Sequence, residues 1–580
     1  MHGRFSKLFL AGVFSLSGAA ACSLEGEKPA INNSSVLAAP ILQVGVSLPG
    51  NYLAGRQALK KNDFYQASKF LETALQNSPN NFFLIGQTFT SKLAKGDVEG
   101  AYSLATRLSR PDIFNPIIKL LIVVEAIKRN KLKDAYETIK LIPKEGLNRF
   151  LKPLLESWVL TGLGDNEGAI KALEPLKKYS EIRPLYQVQV ALVLDALGKV
   201  DAAEKYYRLA VKFSRPSALR IIQGLGRYFE RTGKPEKAKK LYIKHLKDNP
   251  DSVVFQRALS RLKTKEKPPL LVANVKEGAA EALFSIASMI AQERSYQLAL
   301  IYARLATYLR SNLDVGYMLI ARLLETMARY DDAITAYREV REGSPLSWDA
   351  RLRIAENLQS LDRDEDAIVL LKRLATEKKG YATPLISLGD LFRANENFTD
   401  AISAYDSALK LLDNEEKRNW VIHYSRGIAL ERSRQWALAE RDLQKALKLN
   451  PDQPYVLNYL GYSWVDQGRN LGRARKMIER AVELRPNDGY IVDSLGWLLY
   501  RLKNYKSAVI HLERAVELRP QDPTINDHLG DAYWQMGRFS EARFQWKRAL
   551  LLKPEPEKVS KIEAKILRGL IESNNIENEG

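Results

Sequence analysis

Residues 489–522 read GYIVDSLGWLLYRLKNYKSAVIHLERAVELRPQD, and this stretch decides the fold. Gly496 stands twelve residues before Ala508, the bulky Leu512 follows that alanine by four, and Pro520 closes the run. Two helices in close contact need this pattern. A small residue on the first lets the second approach, a bulky residue fills the gap, and proline stops the second helix. The alanine returns at Ala67, Ala101, Ala135, Ala169, Ala203 and Ala238, then at Ala299, Ala333, Ala367 and Ala401, then at Ala439, Ala474, Ala508 and Ala542. Most intervals are 34 or 35 residues; the wide ones are 61 before Ala299 and 38 before Ala439.

A 34-residue helix-turn-helix period resembles the tetratricopeptide repeat. The other positions agree. A small residue precedes the alanine in twelve of fourteen units, with Phe89 and Val123 the exceptions. Proline ends seven units, from Pro79 to Pro554. The expected fold is all-α, a right-handed superhelical solenoid of about fourteen tetratricopeptide repeats. No strand pattern appears in the chain.

Two breaks divide the repeats. The resulting plan is a signal peptide over 1–21, a flexible tether over 22–47 and an N-terminal array over 48–252. An irregular basic junction over 253–279 and a middle array over 280–415 come next. A C-terminal array over 416–556 is followed by a capping helix and disordered tail over 557–580. The signal reading rests on Arg4 and Lys7 before the uncharged stretch LFLAGVFSLSGAAA at 8–21, too short for a permanent membrane span. Directly after it stands Cys22, the sole cysteine of the chain. This arrangement resembles the lipobox of bacterial lipoproteins. It implies lipidation at Cys22 and, with Ser23 rather than Asp following, an outer-membrane destination facing the periplasm. Ordinary cleavage, leaving a soluble periplasmic protein with a free Cys22, is the alternative.

Composition removes several classes of chemistry. One cysteine and five histidines leave no disulfide framework and no Cys-rich zinc module. His245, His423, His511 and His528 are scattered over different units. Gly162-Leu-Gly164-Asp-Asn-Glu-Gly168 has the wrong spacing for a phosphate loop, and Ser407-Ala-Leu-Lys410 sits inside a regular helix. No nucleophile, base and orienter come together, so the expectation is a non-enzyme without cofactor or metal.

Function then falls to surfaces. By resemblance to the family, helix-A positions of each repeat line a groove that takes peptides or partner proteins. In the last three units they give Tyr455, Asn458, Tyr459, Tyr462, Tyr490, Asp493, Ser494, Trp497, Tyr500, Arg501, Asp527, His528, Asp531 and Trp534. Large flat rings beside hydrogen-bonding groups suit a protein-binding hot spot. Tyr459, Tyr462, Trp497 and Trp534 are expected to point away from the inter-helix packing. The carboxylate clamp of chaperone-binding relatives is missing.

The net charge is +20, and residues 1–300 carry 45 basic against 27 acidic side chains. Arg227, Arg231, Lys234, Lys237, Lys239, Lys240, Lys244, Arg261, Lys263, Lys265 and Lys267 form a candidate basic patch. It would meet anionic lipid or an acidic protein surface, or else be a solvated helix face. Nucleic acid is not expected of an exported chain. A cytoplasmic nucleic-acid- or ribosome-associated repeat protein is the alternative reading.

The segments Asn458-Tyr-Leu-Gly-Tyr-Ser-Trp464, Asp493-Ser-Leu-Gly-Trp497 and His528-Leu-Gly-Asp-Ala-Tyr-Trp534, behind a lipobox, resemble the large tetratricopeptide lipoproteins of Gram-negative envelopes. Some of those are adaptors of periplasmic carboxyl-terminal processing proteases. The resemblance implies an envelope scaffold or adaptor with a protein or peptide partner such as that protease.

Cys22→Ala should abolish lipoprotein processing. Metabolic labelling with a fatty acid, read alongside fractionation, checks this. An unlabelled mature chain found soluble would refute the anchor.

Overall fold

The structure, a computed structural model, describes residues 47–108, 116–214, 219–249, 252–412 and 415–570. Cys22, the signal stretch, the tether up to residue 46 and the tail from 571 lie outside the described residues. Among those described there are thirty α-helices, three short 3₁₀ turns and no strand.

The fold is the all-α repeat solenoid that the 34-residue period predicts. Each of the fourteen alanines lies in the second helix of a pair, and every one is 0% exposed. The spacing rule has a direct steric cause. A Cβ placed on Gly530 would lie 2.5 Å from Trp546 Cδ1, and one on Gly389 would lie 2.5 Å from Tyr405 Cε1. Where helix A carries glycine, the residue four after the alanine therefore rests on the bare backbone of the first helix. Where helix A carries Phe89 instead, the corresponding helix-B residue is Ala105, and both are buried. Bulk has moved across the contact.

The described residues form two compact units, one ending at Leu370 and one beginning at Leu371. The boundary falls inside the helix Asp364–Glu377, within the middle array read from the sequence.

In the first unit the array does not stay open. The helix pair Val275–Gln292 and Tyr296–Leu309 packs against the helix-A row formed by Phe82–Lys95, Pro116–Lys128, Asn148–Leu163 and Arg183–Ala196. Composition explains why. Pro116–Lys128 (PIIKLLIVVEAIK) is apolar almost all round, as a helix covered on every side must be. The incoming pair offers small residues for close approach, with Ala279, Ala280, Ala282, Ala287, Ala303 and Ala306 all fully buried. Gly278 lies against the Trp158 indole, where a Cβ would come within 2.0 Å of Cδ2.

Polar ties fix the register. Lys128 Nζ donates to the Tyr308 carbonyl at 2.5 Å, and Tyr308 Oη donates to Glu125 Oε1 at 2.5 Å. Arg220 makes a two-pronged bond to Glu281, at 2.9 and 2.5 Å. Asp63 near the start of the array accepts from Arg329 at 2.9 Å. The helix-A face of the first array is thus filled by the chain itself. The sequence reading took the Ala299 unit as one more repeat and had no account of this.

In the second unit, helix contacts run between consecutive helices and between one helix A and the next. The unit ends in the helix Pro556–Arg568, at the place of the expected cap. Its buried Ile562 joins the core cluster that contains Leu529, Trp546 and Ala549.

Ala508→Leu inserts three carbons where nothing larger than a methyl fits, so it should cost roughly 1–3 kcal/mol. Thermal or denaturant unfolding reads the change. An unaltered melting curve would mean that the repeat register is wrong.

Candidate functional site

The helix-A row of the second unit comes from Thr383–Ala394, Trp420–Arg432, Pro454–Asp466, Gly489–Arg501 and Pro523–Gln535. The structure brings the fourteen singled-out groove residues together on its last three helices, in three different settings.

At one edge, Tyr455 and Tyr490 stand beneath the guanidinium groups of Arg485 and Arg519, at 5.9 and 4.9 Å from the ring centroids. Tyr490 is 37% exposed. These are cation–π pairs supplied by the end of the following helix B.

In the middle, the rings do not stand free of the core as the sequence reading had them. Tyr459 donates to Glu431 at 2.9 Å and meets Tyr424 edge-on at 6.0 Å. Trp497 lies between Tyr500 (4.9 Å, 10° between planes) and His528 (4.1 Å, 14°). Trp534 packs against Phe539 and Trp546 at 4.5 and 5.4 Å. Tyr459, Trp497 and Trp534 all rest on the core cluster of Leu460, Trp464, Leu498, Tyr533 and Trp546. The physical reason is that the interval between consecutive helices A needs filling as much as the A–B interval does. Tyr462 differs: it is half-buried, with no ring contact or hydrogen bond among the described residues. Beside it, Asn458 Oδ1 and Trp497 Nε1 are buried without a hydrogen-bond partner.

At the far end the acidic residues are already engaged. Lys565 of the capping helix donates to Asp527 and Asp531, each at 2.8 Å. Asp531 also accepts from Trp546 Nε1 at 2.9 Å. Gly569 lies against the Trp534 indole. Asp493 is buried and pairs with His528 Nδ1 at 3.0 Å. Burial opposes a charge on His528, but Asp493, Asp527 and Asp531 outweigh it and hold the imidazole above its ordinary range. Burial and neighbouring Asp527 push Asp531 up to about 6, against the pull of Lys565 and His528. The reach of Lys565 across the last repeat had no sequence signal beyond the amphipathic spacing of the cap.

The basic patch separates into two populations. Arg231 pairs with Asp195 at 2.5 Å, and Lys234 and Lys237 with Glu204 at 2.5 and 3.8 Å. Arg261 is bidentate to Glu230 at 2.8 and 2.7 Å. Lys239, Lys240, Lys244, Lys263, Lys265 and Lys267 are exposed, and Arg227 is half-buried.

The motifs set aside on spacing have ordinary structural roles. Gly164 closes a helix at φ 84°, and Asp165 Oδ1 caps the next one by accepting from the Gly168 amide at 2.8 Å. His423 pairs with Asp442, itself held by Arg426. Among the described residues no cluster of His, Cys, Asp and Glu is arranged to hold a metal. No helix among them is long and apolar enough to cross a membrane.

Comparison with known proteins points to the same repeat. Family profiles described as tetratricopeptide repeat match residues 318–382, 386–454, 424–489, 186–216 and 524–556, and one described as TPR repeat matches 496–537. The chain is similar to the human protein O-mannosyl-transferase TMTC1, at 25% identity over 134 residues. That match covers 23% of this chain and only 15% of the human protein. Similar solved structures include YrrB, a TPR protein with an unusual peptide-binding site (21% identity, 33% of this chain and 97% of the other, TM-score 0.27). The APC/C hetero-tetramer Cut9–Hcn1 is another (16% identity, 90% and 96%, TM-score 0.36).

Two buried groups, His528 and Asp531, give the second unit a pH dependence. Both groups bind protons more tightly in the folded chain than at their ordinary values of 6.5 and 3.8. The folded state therefore holds more protons, and stability falls as pH rises. The His528 contribution is complete below pH 6.5 and is lost as pH passes its raised value; that of Asp531 fades through about pH 6. Unfolding midpoints should drop from pH 5.5 to pH 8, and His528→Gln should flatten the slope. An unchanged slope in that variant would refute the assignment.

Proposed function

We propose that the chain works as an exported protein-binding scaffold, a reading supported by the tetratricopeptide-repeat matches between residues 186 and 556. Such repeats imply a scaffold for protein or peptide partners. The finer reading is that Cys22 anchors the chain at the outer membrane and that the helix-A face of the second unit holds an extended segment of a periplasmic partner. A processing protease, which the envelope resemblance suggests, is the candidate partner. The chain itself carries out no catalysis in this reading.

One observation carries the proposal. Of the two helix-A rows, the first is filled from Phe82–Lys95 to Arg183–Ala196 by Val275–Leu309 of the same chain, while the second, among the described residues of its own unit, is overlaid at its last repeat by the capping helix. The stretch from Tyr455 to Tyr500 keeps half-buried rings and two buried polar atoms without partners. Aromatic area of this kind gives binding energy at low entropic cost. With Asp527 and Asp531 held by Lys565, specificity falls to Asn458, Tyr462 and the Tyr455 and Tyr490 rings.

Tyr462 is the cleanest probe, since among the described residues its ring makes no aromatic contact or hydrogen bond and is not among those packed on the core cluster. Trp497, held between two rings, would lose stability as well as any binding role. Tyr462→Ala should leave the melting curve nearly unchanged and weaken partner capture from solubilised membranes by more than about 2 kcal/mol. Mass spectrometry of the captured protein identifies the partner, and titration measures the loss. Capture that survives both Tyr462→Ala and Tyr490→Ala would sink the assignment of this face.

A further inference from the structure

Six arginines converge on one cavity in the first unit. The cavity, about 350 Å³, lies among Leu219–Arg231, Val253–Thr264 and the segments at 310–315 and 341–346. Arg220, Arg227, Arg257, Arg261, Arg310 and Arg341 all contribute to its wall.

Four of these are matched by carboxylates. Arg220 is bidentate to Glu281 and Arg261 to Glu230; Arg341 holds Asp314 at 3.1 and 2.7 Å. Arg310 lies 3.6 Å from Glu277 and donates to the Leu271 carbonyl at 3.0 Å. Of those four acids only Asp314 is among the lining residues. Arg257 reaches no carboxylate and donates to the Gly343 carbonyl at 2.8 Å. Arg227 has a buried Nε without a hydrogen-bond partner and enters no ion pair among the described residues.

Among the described residues, six guanidinium groups against four carboxylates leave an excess of two positive charges around one partly open cavity. Burial, with Arg220 and Arg261 close by, pulls Arg227 down to about 10, so its charge is held at a cost that an anion would remove. Guanidinium forks suit phosphate and carboxylate oxygens. A single carboxylate neutralises only half of the excess, whereas a phosphate dianion matches it. The volume is at the small end of the usual range for ligand sites, about 300–1,000 Å³. Asn312 and Ser344, also in the wall, can complete the shell of a phosphate.

We propose that this cavity is a binding site for a phosphate-bearing dianion, held by Arg227 and Arg257 and framed by the four ion-paired arginines. The proposal is independent of the helix-A face, since all lining residues lie in the first unit. A soluble phosphate compound or a lipid headgroup could supply the group, and the two sources can be separated.

Isothermal titration of the full chain with pyrophosphate, at constant ionic strength, tests the soluble source. Flotation with phosphatidylcholine vesicles containing phosphatidic acid tests the headgroup. Arg227→Met and Arg257→Met should each weaken whichever interaction is found by at least about tenfold. A Lys476→Met/Lys506→Met double variant, on exposed helix faces of the second unit, should leave it intact. Arg257 is exposed, so its variant keeps the test open if Arg227→Met does not fold. Saturable pyrophosphate binding lost in the variants supports a soluble ligand, and vesicle binding alone, lost in the same way, supports a headgroup. Absence of both, or binding that survives both arginine variants, overturns the site.

Discussion

One contact recurs through the molecule: a nearly bare stretch of helix A pressed against the residue four positions after the helix-B alanine. With no side chain at Gly389 or Gly530, the Tyr405 and Trp546 rings lie directly on helix backbone. The distance between paired helices is then set by ring thickness and chain, and the buried alanine keeps it short. Everything else follows from that spacing. It brings consecutive helices A close enough for Trp497 to stack on His528, and it places the Tyr405 and Trp546 polar atoms within reach of Asp390 and Asp531. The swap to Phe89 and Ala105 shows that total size across the contact matters more than which helix supplies it.

The repeat was legible in the sequence because its packing is local. Partners in an A–B contact lie sixteen residues apart, or seventeen for Gly461 and Ile478, so a single small–alanine–bulky rule returns wherever the contact is made. The capping helix was legible for a similar reason, through its apolar spacing. What escaped were contacts with no period. Nothing in the stretch Val275–Leu309 announces that it lies on Pro116–Lys128; its alanines fit an ordinary repeat equally well. In retrospect the all-round apolarity of Pro116–Lys128 was the signal, since an edge or groove helix would show a polar face.

The candidate face was legible by residue and less so by role. Family positions located the aromatic row, yet they could not separate rings that fill the interval between helices A from rings left over. Tyr459 and Tyr462 stand three residues apart; one donates to Glu431 and rests on the core, the other does neither. Charge was misleading in the same way. The run from Arg227 to Lys267 reads as one patch, but Asp195, Glu204 and Glu230 from neighbouring helices neutralise part of it. The arginines that gather around the cavity come from as far apart as Arg220 and Arg341.

The tie between Lys128 and Tyr308 spans 180 residues. In an ordinary solenoid each repeat contacts only its neighbours, so early repeats can be complete while later ones are still being made. Here the opening repeats cannot be. Until residue 309 has been synthesised, Pro116–Lys128 has no cover for its outer apolar side, and the nascent array must wait with that surface open. Closing so long a loop carries the entropy of a large non-local contact, which slows folding relative to a nearest-neighbour array. A holding chaperone would therefore find its natural target in the first third of this chain, during the interval between making the groove and making the segment that fills it.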